Sequence, residues 1–273
     1  MGNLLAQKQK ESFTNLTQRA IEAALEAGAL LLKGYGTNFS IHSKKEYHNL
    51  VTEYDNASEK LIIDFLKGHF PESQFLAEES GESSDKRTGL IWIIDPLDGT
   101  VNFAHQIPMF AVSIAAELDG EVISGVIYQP ITGELFVAEK GQGAFLNGKK
   151  LAVSPISELK KSIIATGFPY NLAENPGHCI EHFTDLLKQG IPIRRIGAAT
   201  LDLAYTAAGR FEGFFEVALG PWDCAAGILM VEEAGGKVST WKGLPFDCRS
   251  YSSIFASNGQ IHTAGTDLLS RSV

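Results

Sequence analysis

Leu16, Ala20, Ala23, Ala27 and Leu30 recur at three- and four-residue steps, so the spacing predicts a helix from about Thr14 to Lys33, ended by Gly34 and Gly36. A second helix is expected to begin near Asp55 or Asn56, with Glu59 in its first turn, Ile62, Phe65 and Leu66 facing inward, and Pro71 closing it. Short apolar runs follow at Phe75–Ala77 and Leu90–Ile94, each running straight into acidic residues. From Phe110 to Leu146 the period drops to two. Phe110–Leu118, Val122–Gln129 and Leu135–Glu139 read as strands of a meander, punctuated by Asp119-Gly120, Thr132-Gly133 and Gly141-Gln142-Gly143. After Pro155 the pattern alternates: strand at Ile163–Thr166, helix at Cys179–Lys188, strand at Ile193–Ile196, helix at Leu201–Ala208, strand at Phe211–Val217, and a helix from about Trp222 to Glu233 stopped by Gly235-Gly236. No internal repeat is present. Strands and helices followed by alternation predict a layered α+β or α/β architecture with a seam near residues 150–160.

The chain has 273 residues, and 23 Lys+Arg against 32 Asp+Glu give a formal net charge of −9. At about 150 residues per domain, that length predicts one large domain or two intimate subdomains, placed here at 1–155 and 156–273. A hydrophobic fraction of 44% excludes disorder as a description of the whole. The acidic excess argues against a duplex nucleic-acid partner, which needs a basic face to neutralise phosphates. Cys179, Cys224 and Cys248 form no C-x-x-C pair, which fits a reducing cytoplasm rather than a disulfide framework or a zinc site. The first residues lack the apolar core of a signal peptide, and Ala6 stands where a myristoylation signal wants Ser or Thr. The apolar stretch Ala29–Leu32 falls far short of the ~20 residues that span a bilayer. A soluble cytoplasmic protein with no membrane partner is expected. Such an acidic chain needs a local device to attract anions.

That device is sought where the carboxylates fall. Leu90–Ile94 leads into Asp95-Pro96-Leu97-Asp98-Gly99-Thr100, Phe75–Ala77 into Glu78-Glu79, and Gly220-Pro221-Trp222-Asp223 opens an apolar helix with an acid in its first turn. Strand ends face the crevice where ligands bind in layered folds. Each segment also has a blander reading: a surface turn rich in Asp, Pro and Gly, a solvated loop, and an acid serving the helix dipole. Three acid-bearing element ends together favour a shared oxygen-ligand site. Crowded carboxylates repel, so they want hard divalent cations, and with no His or Cys interleaved Mg²⁺ or Mn²⁺ is preferred to zinc. Two such ions suit phosphoryl transfer, one activating water and one stabilising the leaving oxygen. Competing chemistries lack their motifs. The chain has no D-x-D for an aspartyl-phosphate phosphatase at this strand end, no G-x-x-x-x-G-K-[ST] loop and no G-x-S-x-G elbow, and Gly141-x-Gly143 lies in a hairpin rather than at a strand-to-helix turn.

Glu78-Glu79-Ser80, Asp95-Pro96-Leu97-Asp98-Gly99-Thr100-Val101-Asn102-Phe103, Trp222-Asp223-Cys224-Ala225-Ala226-Gly227 and Leu50-Val51-Thr52-Glu53-Tyr54-Asp55 resemble the signatures of the inositol monophosphatase family, Mg²⁺-dependent and lithium-sensitive phosphatases. The resemblance runs in order along nearly the whole chain. It implies an α-β-α-β-α layered sandwich and a homodimer. It implies that Glu78, Asp95 and the Leu97 carbonyl bind a first metal, that Asp95, Asp98 and Asp223 bind a second, and that Glu78 helps hold a third. By the same resemblance Thr100 and Asp55, with Glu78, are catalytic, orienting or deprotonating the attacking water. The amides of Gly99 and Thr100 would hold phosphate, Glu216 would meet a substrate hydroxyl, Gly197-Ala198-Ala199 would lie beside the sugar ring with Asp98 and Asp223 at its edge, and Lys44 would stand near the site. Asp55 also reads as a helix cap, Glu216 as a strand-end surface acid and Lys44 as a solvated charge. The chain departs from the family pattern at Asn49, where many relatives carry Asp, and at Ala77, where Gly is common.

The activity implied is hydrolysis of a small phosphorylated polyol, myo-inositol 1-phosphate first, because Thr100-Val101-Asn102-Phe103 looks like the inositol branch. Histidinol phosphate, fructose 1,6-bisphosphate and NADP remain alternatives, since the motifs specify phosphate and metal better than leaving group. A different class of role, binding the transcription machinery, is also open because some bacterial members of the family do so.

Overall fold

The computed structural model describes residues 13–43, 50–83 and 88–271. Lys44, Asn49 and the 44–48 segment lie outside the described residues.

The first helix, α1 (Asn15–Gly34), starts on an N-cap, Thr14, whose hydroxyl accepts from the Thr17 amide, and it buries Ala20, Ala23, Ala24, Ala27 and Leu31. A small hairpin, β1 (Ile41–Ser43) with β2 (Leu50–Thr52), leads into α2 (Glu53–His69). The latter begins two to three residues before the point expected from the apolar pattern, because Thr52 and Asp55 close a capping box ahead of the first buried apolar residue.

The central sheet has eight strands: β3 (Gln74–Ala77), β4 (Gly81–Glu82), β5 (Leu90–Asp98), β6 (Ala111–Leu118), β7 (Glu121–Gln129), β8 (Glu134–Glu139), β9 (Gly143–Leu146) and β10 (Lys149–Lys150), in the order β10-β9-β8-β7-β6-β5-β3-β4. The meander expected between 110 and 146 supplies β6, β7 and β8. A short helix, α3 (Thr100–Ala104), separates β5 from β6. The second sheet has five strands, β11 (Ile164–Thr166), β12 (Ile193–Arg194), β13 (Gly213–Val217), β14 (Lys237–Ser239) and β15 (Ser253–Ser257), in the order β12-β11-β13-β15-β14. The helices α4 (Cys179–Lys188), α5 (Ala199–Ala207), α6 (Pro221–Glu233) and α7 (His262–Leu269) complete the chain.

Period-two alternation sorts the strands between layers. Ile91 and Ile93 of β5 join the core formed with Leu201, Leu203, Leu229 and Met230 of α5 and α6, whereas Trp92 and Ile94 join Ala24, Leu31, Ile62 and Leu66 of α1 and α2. In the second sheet Phe214, Ile254 and Ala256 face α5 and α6, while Phe215 and Phe255 pack with Cys179 and Leu186 of α4 and Leu268 and Leu269 of α7. The layers are therefore α1/α2, the large sheet, α5/α6, the small sheet and α4/α7. This is the α-β-α-β-α sandwich implied by the resemblance. The middle core draws residues from Leu76 to Ala256, so α5 and α6 tie both sheets into one hydrophobic body.

Candidate metal centre

The site forms where β5 fails to stay regular. The apolar run at 90–94 does not end the strand, which continues to Asp98, but its register against β6 slips between Asp95 and Asp98. Pro96 has no amide to give the ladder, and a bulge is where a strand tolerates it. Ser58 of α2 donates its hydroxyl to the Pro96 carbonyl at 2.9 Å. Gly99 then adopts φ +87, and a Cβ there would sit 2.8 Å from the Met109 carbonyl, so both conformation and space require glycine before α3.

Asp95, Asp98, Thr100 and Asp55 are all buried. The Thr100 hydroxyl lies 2.9 Å from Asp55 Oδ1 and 3.0 Å from the Leu97 carbonyl, two acceptors for its one proton. Asp55 Oδ2 accepts from the Thr52 amide at 2.7 Å and its hydroxyl at 2.5 Å. One oxygen of Asp55 closes the capping box of α2 and the other accepts from Thr100. Its place differs from the expected N-cap, which is Thr52. Burial raises the Asp55 carboxyl, against the lowering effect of these hydrogen bonds.

Asp98 Oδ2 accepts from the Thr200 amide at 2.8 Å and the Thr200 hydroxyl at 2.5 Å. Burial nevertheless pushes its pKa up to about 6. Asp95 Oδ1 accepts from the Leu97 amide at 3.0 Å, and Asp223 Oδ2 from the Gly220 amide at 2.6 Å at the start of α6. Asp223 stands in the first turn of α6, where an acid faces the positive end of the helix dipole. Burial first, then the negative charges of Glu78, Asp98 and Asp223, raises Asp95 well above the usual carboxylate range. Burial, then Glu78 and Asp98, does the same to Asp223. Glu78 stands in the turn after β3, whose own amide donates to the Ile94 carbonyl at 3.1 Å.

These four acids share one electrostatic environment. Among the described residues, no three His, Cys, Asp or Glu side chains are gathered closely enough to ligate one ion as they stand. The fit to a cation therefore lies in donor chemistry: an all-oxygen set, buried and mutually repulsive, matches a hard divalent ion such as Mg²⁺.

Glu216, on β13, is buried rather than a surface acid, and burial, then the Asp98 charge, pushes it up to about 8. Its carboxylate occupies space left by Gly167, where a Cβ would come within 2.2 Å of Glu216 Oε2. Gly197 takes φ +84, and Asn102 ties the segment to α3 by donating to the Ile196 and Gly197 carbonyls at 3.0 and 3.3 Å. Ala199 is the first residue of α5, immediately before the Thr200 that holds Asp98.

Sequence reasoning gave no site role to Thr52, Glu59, Gly167, Thr200 and Asp202. The spacing Thr52-x-x-Asp55 is a legible capping signal. The Thr200–Asp98 bond spans 102 residues and has no local signal. Asp202 is buried with Glu216 and Asp98 raising its carboxyl further, and its Oδ1 has no hydrogen-bond partner among the described residues.

A profile of the inositol monophosphatase family matches residues 13–273. The chain belongs to the inositol monophosphatase family. Among its family relatives, the Escherichia coli (strain K12) Nus factor SuhB is 45% identical over 225 residues, 82% of this chain and 84% of that protein. The inositol-1-monophosphatase of Caulobacter vibrioides is 43% identical over 249 residues, 89% of this chain and 96% of that protein. Among solved members, the extragenic suppressor protein suhB from Bartonella henselae superposes with a TM-score of 0.90 at 40% identity, covering 95% of this chain and 100% of that one. An IMPase/NADP phosphatase complexed with Mg²⁺ and phosphate superposes with a TM-score of 0.80 at 26% identity, covering 90% and 92%. Membership in the inositol monophosphatase family supports Mg²⁺-dependent phosphatase activity on a small phosphorylated substrate. Among the described residues, no helix is long and apolar enough to cross a membrane.

Proposed function

We propose that the protein hydrolyses myo-inositol 1-phosphate to inositol and phosphate. The observation that carries the reading is the Thr100–Asp55 hydrogen bond set beside the buried acids of β5, with a further buried acid, Glu216, facing them from the other sheet. Glu78, Asp95, the Leu97 carbonyl, Asp98 and Asp223 would hold Mg²⁺, with Mn²⁺ as a substitute and Li⁺ as an inhibitor. Bound there, the cations supply Lewis acidity and a lowered pKa for water. Asp55 draws the Thr100 proton toward itself, which leaves the Thr100 oxygen turned to accept a proton from the nucleophile, with Glu78 as the second catalytic carboxylate. The amides of Gly99 and Thr100 would carry phosphate oxygens. Glu216, with Gly197 and Ala199 beside it and Asp98 and Asp223 at the phosphate end, would read the hydroxyls of the polyol. A carboxyl raised to about 8 both donates and accepts at neutral pH, which suits a ring whose hydroxyls do the same.

Histidinol phosphate, fructose 1,6-bisphosphate and NADP are the competing substrates, and a kcat/KM panel decides among them. Purified protein is expected to release phosphate from inositol 1-phosphate with Mg²⁺ and to stop in chelator. Asp98→Asn should lower kcat/KM by at least about 100-fold, since changes at metal-site ligands and their supports cost on that order. Full activity in chelator would overturn the mechanism.

A second reading, a binding partner in the transcription machinery, is favoured by the name Nus factor carried by the E. coli relative. A pull-down with the inactive Asp98→Asn chain supports it if a specific partner is retained. The further features follow the same reading: subdomains 1–155 and 156–273 meeting at the α5/α6 layer, a cytoplasmic location consistent with three free cysteines, and a homodimer. Ile180 and Leu187, exposed seven residues apart on one face of α4, supply an apolar stripe for a second copy. Light scattering of the eluted protein reads the dimer directly.

A further inference from the structure

Asp55, Ser58 and Glu59 stand on one face of α2, and all three are buried, at 0, 0 and 5% exposure. Each reaches a different segment of the site. Asp55 accepts from Thr100, Ser58 donates to the Pro96 carbonyl, and Glu59 Oε2 accepts from the Glu79 backbone N–H at 2.9 Å. The first two touch β5 and the start of α3. The third touches the tight turn Glu78-Glu79-Ser80, which joins β3 to β4 in the register Ala77↔Gly81.

Glu59 has no local reason to be acidic. It lies past the first turn of α2, where a carboxylate no longer serves the helix dipole, and the capping box is complete without it. Burying a carboxylate is costly unless it is bonded, so its position is set by the bond it makes. That bond crosses 20 residues of sequence. The two successive amides of the turn are thereby pinned to two different elements, Glu78 N to the Ile94 carbonyl of β5 at 3.1 Å and Glu79 N to Glu59 of α2.

We infer that Glu59 is a positioning residue: by holding the Glu79 amide it fixes the turn after β3 and so aims the Glu78 carboxylate at Asp95, Asp98 and Asp223. The inference rests on the reading that Glu78 belongs to a cation site. It assigns the acceptor geometry of Glu59, rather than its charge, as the property the site uses.

Two substitutions separate these properties. Glu59→Gln keeps an acceptor oxygen at the same reach and removes the charge, whereas Glu59→Asp keeps the charge and withdraws the oxygen by about 1.5 Å, one carbon–carbon bond. The measurement is Mn²⁺ binding to the purified full-length protein without substrate, followed by the electron paramagnetic resonance of free Mn²⁺. Thermal unfolding in chelator accompanies it, to show that each variant is folded. Glu59→Asp is expected to weaken Mn²⁺ affinity about 10-fold or more, the range for supports behind metal ligands, and Glu59→Gln to stay within about threefold of wild type. The reverse order, or no change in either variant, overturns the inference while leaving the cation site intact. Glu59→Ala, which removes acceptor and charge together, is expected to weaken Mn²⁺ affinity at least as far as Glu59→Asp, and affinity equal to wild type in it overturns the inference. Wild-type protein that binds no Mn²⁺ sinks the cation-site reading itself.

Discussion

Two threonines show how single residues ready the site. Thr200 gives Asp98 both its amide and its hydroxyl, and a buried carboxylate with two donors on one oxygen is fixed in direction. Thr100 stands between Asp55 and the Leu97 carbonyl. Thr100→Ala is expected to lower kcat by about 10²–10⁴, the range for losing positioned proton transfer, with little effect on Mn²⁺ affinity; equal kcat in steady-state assays would remove Thr100 from the mechanism. Gly167 acts by what it lacks. In Gly167→Ala the new Cβ displaces Glu216, and losing a hydrogen bond to a charged or strongly polar group costs about 1.5–3 kcal/mol. The expected result is roughly a 10- to 150-fold fall in kcat/KM for inositol 1-phosphate. A phosphate ester without a polyol should be affected far less, and an equal fall for both would remove Glu216 from substrate selection.

At the scale of elements, helix starts do double duty. α2 begins on the box that also presents Asp55, and α6 begins on a Gly220–Asp223 bond that also presents Asp223. Local capping energy therefore orients the candidate site carboxylates before any ligand arrives. Thr52→Ala should destabilise the protein by about 0.5–2 kcal/mol in urea unfolding and lower kcat as well, since Asp55 loses the hydroxyl donor and keeps only the backbone amide of residue 52. A fall in stability with unchanged turnover would separate capping from catalysis. The bulge in β5 makes the same point for a strand. Asp95 and Asp98 belong to the strand, and the register slip brings both to the site rather than to opposite faces of the sheet.

At the scale of the whole molecule, the acids of the site burden the fold in the absence of cations. Glu216 is raised to about 8 and Asp98 to about 6, while the unfolded chain releases the same protons near pH 4. A folded-state value above the unfolded one gives stability that is complete below about pH 4 and is lost as pH rises through 6 and then 8. In chelator the protein should therefore unfold at lower temperature at pH 8 than at pH 5. Mg²⁺ competes with these protons, so the rise in Tm that it produces should be larger at pH 8. A larger rise at pH 5, read by differential scanning calorimetry, would contradict the cation site. On the cation-site reading, part of the net charge of −9 serves the site.

Periodicity, turn residues and the spaced motifs around Glu78, Asp95 and Asp223 determined the fold class and the family and singled out the candidate acids, because local pattern and residue chemistry are written along the chain. The central meander and most helices were legible for the same reason, and the small hairpin of β1 and β2 was not, being too short for a period to show. Only the tertiary structure decided that β5 runs on through Asp98 with a bulge, that Thr200 rather than a neighbour in sequence holds Asp98, and that Gly167 makes room for Glu216. It also decided that Glu59 reaches the turn of Glu79. Those contacts join residues 20 to 102 apart in the chain. Their partners become neighbours only when two sheets close on the α5/α6 layer and α1/α2 cover the outer face, so the physical condition that selects them is proximity in the packed core, which no local window contains.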